Sequence, residues 1–344
     1  MTHSGDGPPP VRARLLCALA IGAAAALYTY TFYAHQSPLS VSDFDAIWTA
    51  ARALGAGQDP YAAVPSPPWP WDLQYPLPAV LVAFPFSLLP LALARPAFMG
   101  VGAALLAWGL TRRAYWPLIM LASGQFFWAL QSVQWTPLFA AGVLVPALQP
   151  LWSLKPTTGL ALFAGYPNWR TVLGGLVLLA AAFAAWPTWL EGWLTAAARA
   201  PHRPAIFHPG GFILLLALLR WRLPEARQLA VLACVPTSPH LYEGLPLLLA
   251  ARSRRELLVL AVCGGLGLAV TAVAPPSAGP GPDHGLVPWL IVFASAYLPT
   301  LAVVLRHRPT RSVMLEPFAS IPPGAPASLV GDLTAAPSDA PVQQ

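Results

Sequence analysis

Residues 42–61, "SDFDAIWTAARALGAGQDPY", decide how the rest of the chain is read. The stretch follows an apolar run long enough to cross a bilayer, yet it carries three of the chain's thirteen acidic residues, Asp43, Asp45 and Asp59. Phe44, Ile47, Trp48, Ala51 and Leu54 recur at helical spacing while Asp45, Thr49 and Arg52 fall on the other side, which predicts an amphipathic helix of about three turns. Gly55 and Gly57 end it. Such a helix suits the membrane surface, with Trp48 at headgroup depth. Ser42 is a natural N-cap and Asp45, three residues on, is the acid of a capping-box-like pair; Asp43 complements the helix dipole but neither cap nor box needs it. Asp43 is therefore the candidate general base, a carboxylate placed to accept a proton from a hydroxyl nucleophile.

The surrounding composition sets the environment. Only 9 % of the 344 residues are charged and 56 % are hydrophobic, far from the ~25 % charged residues of soluble domains, so the chain reads as an integral membrane protein. The net charge of +6 does not indicate nucleic acid. Its arginines fall in small groups between apolar runs, at Arg12 and Arg14, Arg112 and Arg113, Arg220 to Arg227, Arg252 to Arg255 and Arg306 to Arg311, as loops obeying the positive-inside rule would place them. Cys17, Cys234 and Cys263 lie inside apolar runs with neither a disulfide framework nor metal-ligand spacing. The first apolar run has signal-peptide-like small residues, but the many later runs favour an uncleaved first helix.

The predicted fold is all-α, a polytopic bundle of ten to twelve membrane spans. The clearest spans are near 14–33, 171–187, 256–274 and 287–305; shorter or proline-broken ones lie at 76–94, 96–110, 114–130, 135–152, 156–166, 209–221, 228–241 and 243–251. Polar, Pro-rich tails are expected at 1–11 and 309–344, flanking a membrane domain at 12–308. With the arginine groups cytoplasmic, residues 34–75 form the first outer loop, and further outer loops hold Glu191, His202, His208, His240, Glu243, Asp283 and His284. Twelve spans put Arg112 and Arg113 outside; ten put them inside.

The opening stretch, with its Asp-bearing helix, Gly-rich turn and "DPY", resembles the first outer loop of the DUF2029, or glycosyltransferase family 87, proteins. "QYPLPAVLVAFPFSLLPLALA" after the loop, "SLKPTTGLALF" around Lys155 and "SPHLYEGLPLLL" around His240 follow in the family's order, over roughly residues 14–260. Where the family often has Gly-Gln, "SVQWTP" keeps Gln134 without the glycine. The resemblance implies a GT-C-like mannosyltransferase of a bacterial inner membrane with its site facing the periplasm. It would move a sugar from a polyprenyl-phosphate-linked donor to a glycan or glycolipid acceptor, with no cofactor or metal and no nucleic-acid partner.

In that scheme Asp43 is the base, and Asp45, Gln134, Lys155, His240 and Glu243 are candidate substrate-binding residues. Lys155 is the one lysine against eighteen arginines. In its apolar "LKP" setting it is read either as a cation for the lipid phosphate or as a side chain snorkelling to the interface. His240 and Glu243, three apart, would share a helix face or flank a turn. Asp59 before Pro60 reads as a turn residue capping its own backbone. The alternatives are a transporter or lipid flippase, which should carry ionisable residues near mid-span, and a degenerate, non-catalytic relative.

Overall fold

The structure, a computed structural model, describes residues 9–36, 40–66, 69, 71–199, 202–237, 240–273 and 286–308. The expected tails, apart from residues 9–11, lie outside the described residues, as do Asp283 and His284. The described chain is mostly helical with almost no strand, as expected. Its α-helices are α1 (Val11–Ala34), α2 (Asp43–Gly55), α3 (Leu77–Ser87), α4 (Leu91–Leu110), α5 (Gly124–Gln131), α6 (Thr136–Leu144), α7 (Pro156–Gly165), α8 (Trp169–Ala185), α9 (Trp189–Ala198), α10 (Pro224–Cys234), α11 (Arg254–Val273), α12 (Leu286–Val292) and α13 (Leu298–Arg306). Tighter 3₁₀ segments include Pro146–Leu154, Gly211–Arg220 and Leu241–Ala250, and Arg203–Pro204 pairs antiparallel with Pro236–Thr237.

Among the described residues four helices are long and apolar enough to cross a membrane: α1, α4, α11 and the run from Leu286 to Arg306. The pair α8 and α9, bent by 107° at its break, makes a fifth if counted as one span. Leu15, Leu16 and Leu19 on α1, Val172, Leu173 and Leu176 on α8, and Leu258, Val259 and Val262 on α11 all point outward. Apolar faces this extensive belong in lipid.

The number of such helices is smaller than the ten to twelve expected because several apolar runs are short. At 1.5 Å per residue the ten residues of α7 reach roughly 15 Å, half of a ~30 Å hydrocarbon core. From Glu243 to Ala250 the 3₁₀ rise of 2.0 Å gives roughly 14 Å. Hydropathy marks such short pieces as spans, although neither is long enough alone to cross.

Helices α1 and α4 pack antiparallel. Arg14 near the start of α1 donates to the Trp108 carbonyl near the end of α4 at 3.0 Å, its guanidinium 4.1 Å from the Trp108 ring. Gly22-x₃-Ala26 faces Gly100-x₃-Ala104. A Cβ on Gly22 would meet the Gly100 carbonyl oxygen at 2.8 Å and Ala104 Cβ at 2.9 Å, and one on Gly100 would meet the Gly22 oxygen at 3.0 Å. Small residues at this spacing let two membrane helices approach through their backbones. Gly22→Leu is expected to force them apart and lower stability by about 1–3 kcal/mol, read as a lower unfolding temperature in detergent; an unchanged temperature would refute the tight seam.

The same pairing settles where Arg112 and Arg113 lie. Arg112 sits close enough to Arg14 to feel its charge, with Arg113 beside it, so both lie at Arg14's end of the α1–α4 pair. Other arginines cap helix C-termini at their own ends. Arg227 donates to the Ala164 and Gly165 carbonyls of α7, both at 2.8 Å, and Arg220 to the Leu305 carbonyl of α13 at 3.1 Å. These ends are termed the arginine face below.

Candidate active site

Helix α2 begins with the expected box: the Ser42 amide and hydroxyl donate to Asp45 at 2.7 and 2.6 Å. The sequence does not reveal that Arg95, from α4, completes it. Arg95 Nε and Nη2 donate to the two Asp45 oxygens at 2.7 and 2.5 Å, and its guanidinium lies 4.0 Å from the Tyr33 ring. Asp45 is 2 % exposed with both oxygens engaged. These contacts join α1, α2 and α4 through Asp45, as the capping reading of the sequence expects of it in part. Helix α2 also departs from the expected surface position. Phe44, Ile47, Ala50 and Ala51 are fully buried, and Phe44 stacks on Phe98 of α4 at 4.7 Å. Its apolar face is satisfied by protein instead of lipid. Arg52 is exposed and donates to the Ser87 carbonyl at the end of α3 at 3.3 Å.

Anchoring Asp45 aims Asp43, two residues earlier, the other way. Its carboxylate accepts from the Gln134 side-chain amide, its one hydrogen-bond partner among the described residues. The Gln134 carbonyl oxygen accepts in turn from the Tyr75 hydroxyl at 3.4 Å. Lys155, at the N-cap of α7, donates to Glu243 Oε1 at 2.5 Å, and Thr158 of the same helix donates to Glu243 Oε2 at 2.7 Å. Glu243 is 1 % exposed. Lys155 Nζ also lies 5.1 Å from the Tyr242 ring centre, and the His240 ring is 5.2 Å from that ring and stacks on Trp128 at 6.4 Å. Asp43, Gln134, Lys155 and Glu243 thus come together from four separate elements, with His240 at the border.

The electrostatics follow from this crowding. Asp43 keeps some exposed surface although protein surrounds it closely. Burial raises its pKa above the usual carboxylate value; Lys155 and the Gln134 amide lower it, and Glu243 raises it again. Lys155, read from the sequence as a cation for phosphate or as a snorkelling side chain, has a buried carboxylate partner, Glu243, which takes one of its three N–H donors.

Sequence reasoning missed Arg95, Tyr75 and Thr158. Thr158 had a legible signal, since on α7 it falls three residues from Lys155 and therefore near the same face. Tyr75 and Arg95 had none: they meet Gln134 and Asp45 only through tertiary packing. Asp59 is the turn residue expected, accepting from the Tyr61 amide at 2.8 Å.

The residue before Gln134 is unusual in a further way. Val133, where the resemblance expects glycine, has φ +50° and is the one non-glycine residue at positive φ among those described. It closes α5 in a Schellman-type turn, with the Gln134 amide donating to the Ala129 carbonyl at 3.0 Å. A β-branched residue is strained there, next to the amide that holds Asp43.

No protein-family model, no curated protein and no solved structure matches this chain. The family resemblance therefore rests on the quoted residues alone.

Proposed function

We infer that this chain is a multi-pass membrane glycosyltransferase of GT-C-like architecture. Its donor is a sugar, mannose by the family resemblance, on a polyprenyl phosphate, and its acceptor is a glycan or glycolipid hydroxyl. The observation that carries the reading is a carboxylate at a helix N-terminus, Asp43, held by Gln134 with the one lysine of the chain beside it. In the reaction Asp43 removes the acceptor proton, the acceptor oxygen bonds to the anomeric carbon, and the bond from that carbon to the phosphate oxygen breaks. The polyprenyl phosphate leaves with the electron pair, and an N–H of Lys155 not engaged by Glu243 stabilises the charge on it. The direct test is transfer of labelled sugar from a panel of polyprenyl-phosphate donors by the purified chain in nanodiscs. Absence of transfer from every donor, with the protein folded, would overturn the reading.

The mechanism requires Asp43 to open to the outer side of a bacterial inner membrane and the arginine face to be cytoplasmic. Single cysteines at Ala62 and Ser253, both exposed, in a chain lacking Cys17, Cys234 and Cys263, are expected to react oppositely with an impermeant maleimide in intact cells, Ala62 labelling and Ser253 not. The reverse pattern would remove the lipid-linked-donor mechanism.

One observation favours a second reading, an ion-coupled transporter. Lys155 precedes α7 and Glu243 lies in the first turn of Leu241–Ala250, apolar segments each too short alone to cross a bilayer, and charges buried among such segments serve ion and proton pathways. Proton-driven uptake by proteoliposomes that fail to transfer sugar would select it.

A further inference from the structure

At the arginine face a second buried polar group lies apart from the Asp43 cluster. Glu225, in the first turn of α10, is 2 % exposed, and neither of its oxygens has a hydrogen-bond partner among the described residues. The nearest cationic nitrogen, Arg252 Nη2, is 3.8 Å away, beyond hydrogen-bonding distance. Arg252 also donates to the Arg308 carbonyl at 3.1 Å. Arg227, on the same helix, is committed to the α7 carbonyls. The Tyr166 hydroxyl, just after α7, and His307 Nδ1, just after α13, are likewise buried without a hydrogen-bond partner, and both residues lie within electrostatic reach of Glu225.

Glu256, close by, shows the contrast. It accepts from the amides of Arg252 at 2.7 Å and Ser253 at 3.1 Å and meets His307 Nε2 at 3.2 Å, the set of donors an ionised carboxylate needs. An ionised Glu225 would bear the desolvation of a buried charge with, among the described residues, no side-chain donor within hydrogen-bonding distance and only its own backbone N–H nearby.

We propose that Glu225 is a buried proton-binding site, uncharged at neutral pH, that holds together the arginine-face ends of α7, α10, α11 and α13. The groups facing it are Tyr166 after α7, Arg227 on α10, Arg252 before α11 and His307 after α13. Burial raises the carboxyl's affinity for a proton, while Glu225's own backbone N–H and then Arg252, His307 and Arg227 oppose this. With its pKa raised in the folded state, the site contributes stability that is fully present below the unfolded carboxyl's pKa. That contribution is lost as pH rises through the folded value.

Two measurements on the full chain in nanodiscs test this. Glu225→Gln, which keeps the shape of the uncharged acid, is expected to unfold within about 2 °C of wild type near neutral pH and to lose part of the fall in unfolding temperature on alkaline titration. The carbonyl band of a protonated glutamic acid, isotope-edited with labelled glutamate, is expected near neutral pH in wild type and in Glu243→Gln, disappearing at higher pH. A fall of more than about 6 °C in Glu225→Gln, the mark of a broken ion pair, together with absence of that band would overturn the proposal. Should the variant fail to fold, the band in Glu243→Gln decides alone: present, the site stands; absent, it falls.

Discussion

On the proposed function, Asp43→Asn is expected to abolish sugar transfer while leaving expression and donor binding near wild type, because it would remove the proposed base and preserve the shape. Loss of general-base catalysis alone accounts for about 10²–10⁴-fold. The asparagine also changes the hydrogen bonding presented to Gln134, which adds to the loss. Turnover near wild type would remove Asp43 from the chemistry. The pH profile gives an independent check. A base must be ionised, so kcat/KM should rise with pH through the Asp43 pKa, and burial places that limb above the usual carboxylate value. Gln134→Leu removes a hydrogen bond that favours the ionised form, so the limb should move to still higher pH. A limb that stays in place would assign it to another group.

The second large effect concerns stability. Among the described residues, Lys155→Met leaves Glu243, 1 % exposed, with only the Thr158 hydroxyl as a hydrogen-bond donor. Breaking a buried ion pair by removing one partner typically costs about 3–5 kcal/mol, whereas replacing both is often near neutral. Lys155→Met should therefore unfold at a much lower temperature, and Lys155→Met with Glu243→Gln should recover most of the loss. Equal destabilisation in single and double variants would show that the pair is not the cause. The donor dependence of Lys155 is best measured in that double variant, where loss of the cation is separated from loss of the fold.

The sequence marked the polar residues that come together better than it marked the architecture around them. Asp43, Gln134, Lys155 and Glu243 stand out as polar residues in apolar surroundings, and the structure brings these four together. It could not show that Asp45 belongs to Arg95, because the two are fifty residues apart and a complete capping box gives no hint of a further partner. The helical class was legible from composition, and the arginine groups were legible as loop ends. The number of spans was not. A run such as "PTTGLALFAG" has the hydropathy of a crossing, but its helix starts at a buried ion pair and covers half the distance. The α1–α4 seam was equally silent, since an Ala-rich helix offers many small residues and only packing selects Gly22.

The pairing of Lys155 with Glu243 also has a consequence in time. The two residues are separated by 88 positions, and at about 5–20 residues per second a growing chain needs on the order of 4–18 s to supply the second after the first. During that interval the lysine has been synthesised into an apolar setting without its counter-ion. It must wait at the aqueous boundary or in the insertion machinery, and α7 can settle at its final depth only once Leu241–Ala250 has been made. Substitutions that delay the second segment should therefore expose the first to quality-control proteolysis, even where the finished protein is as stable as before.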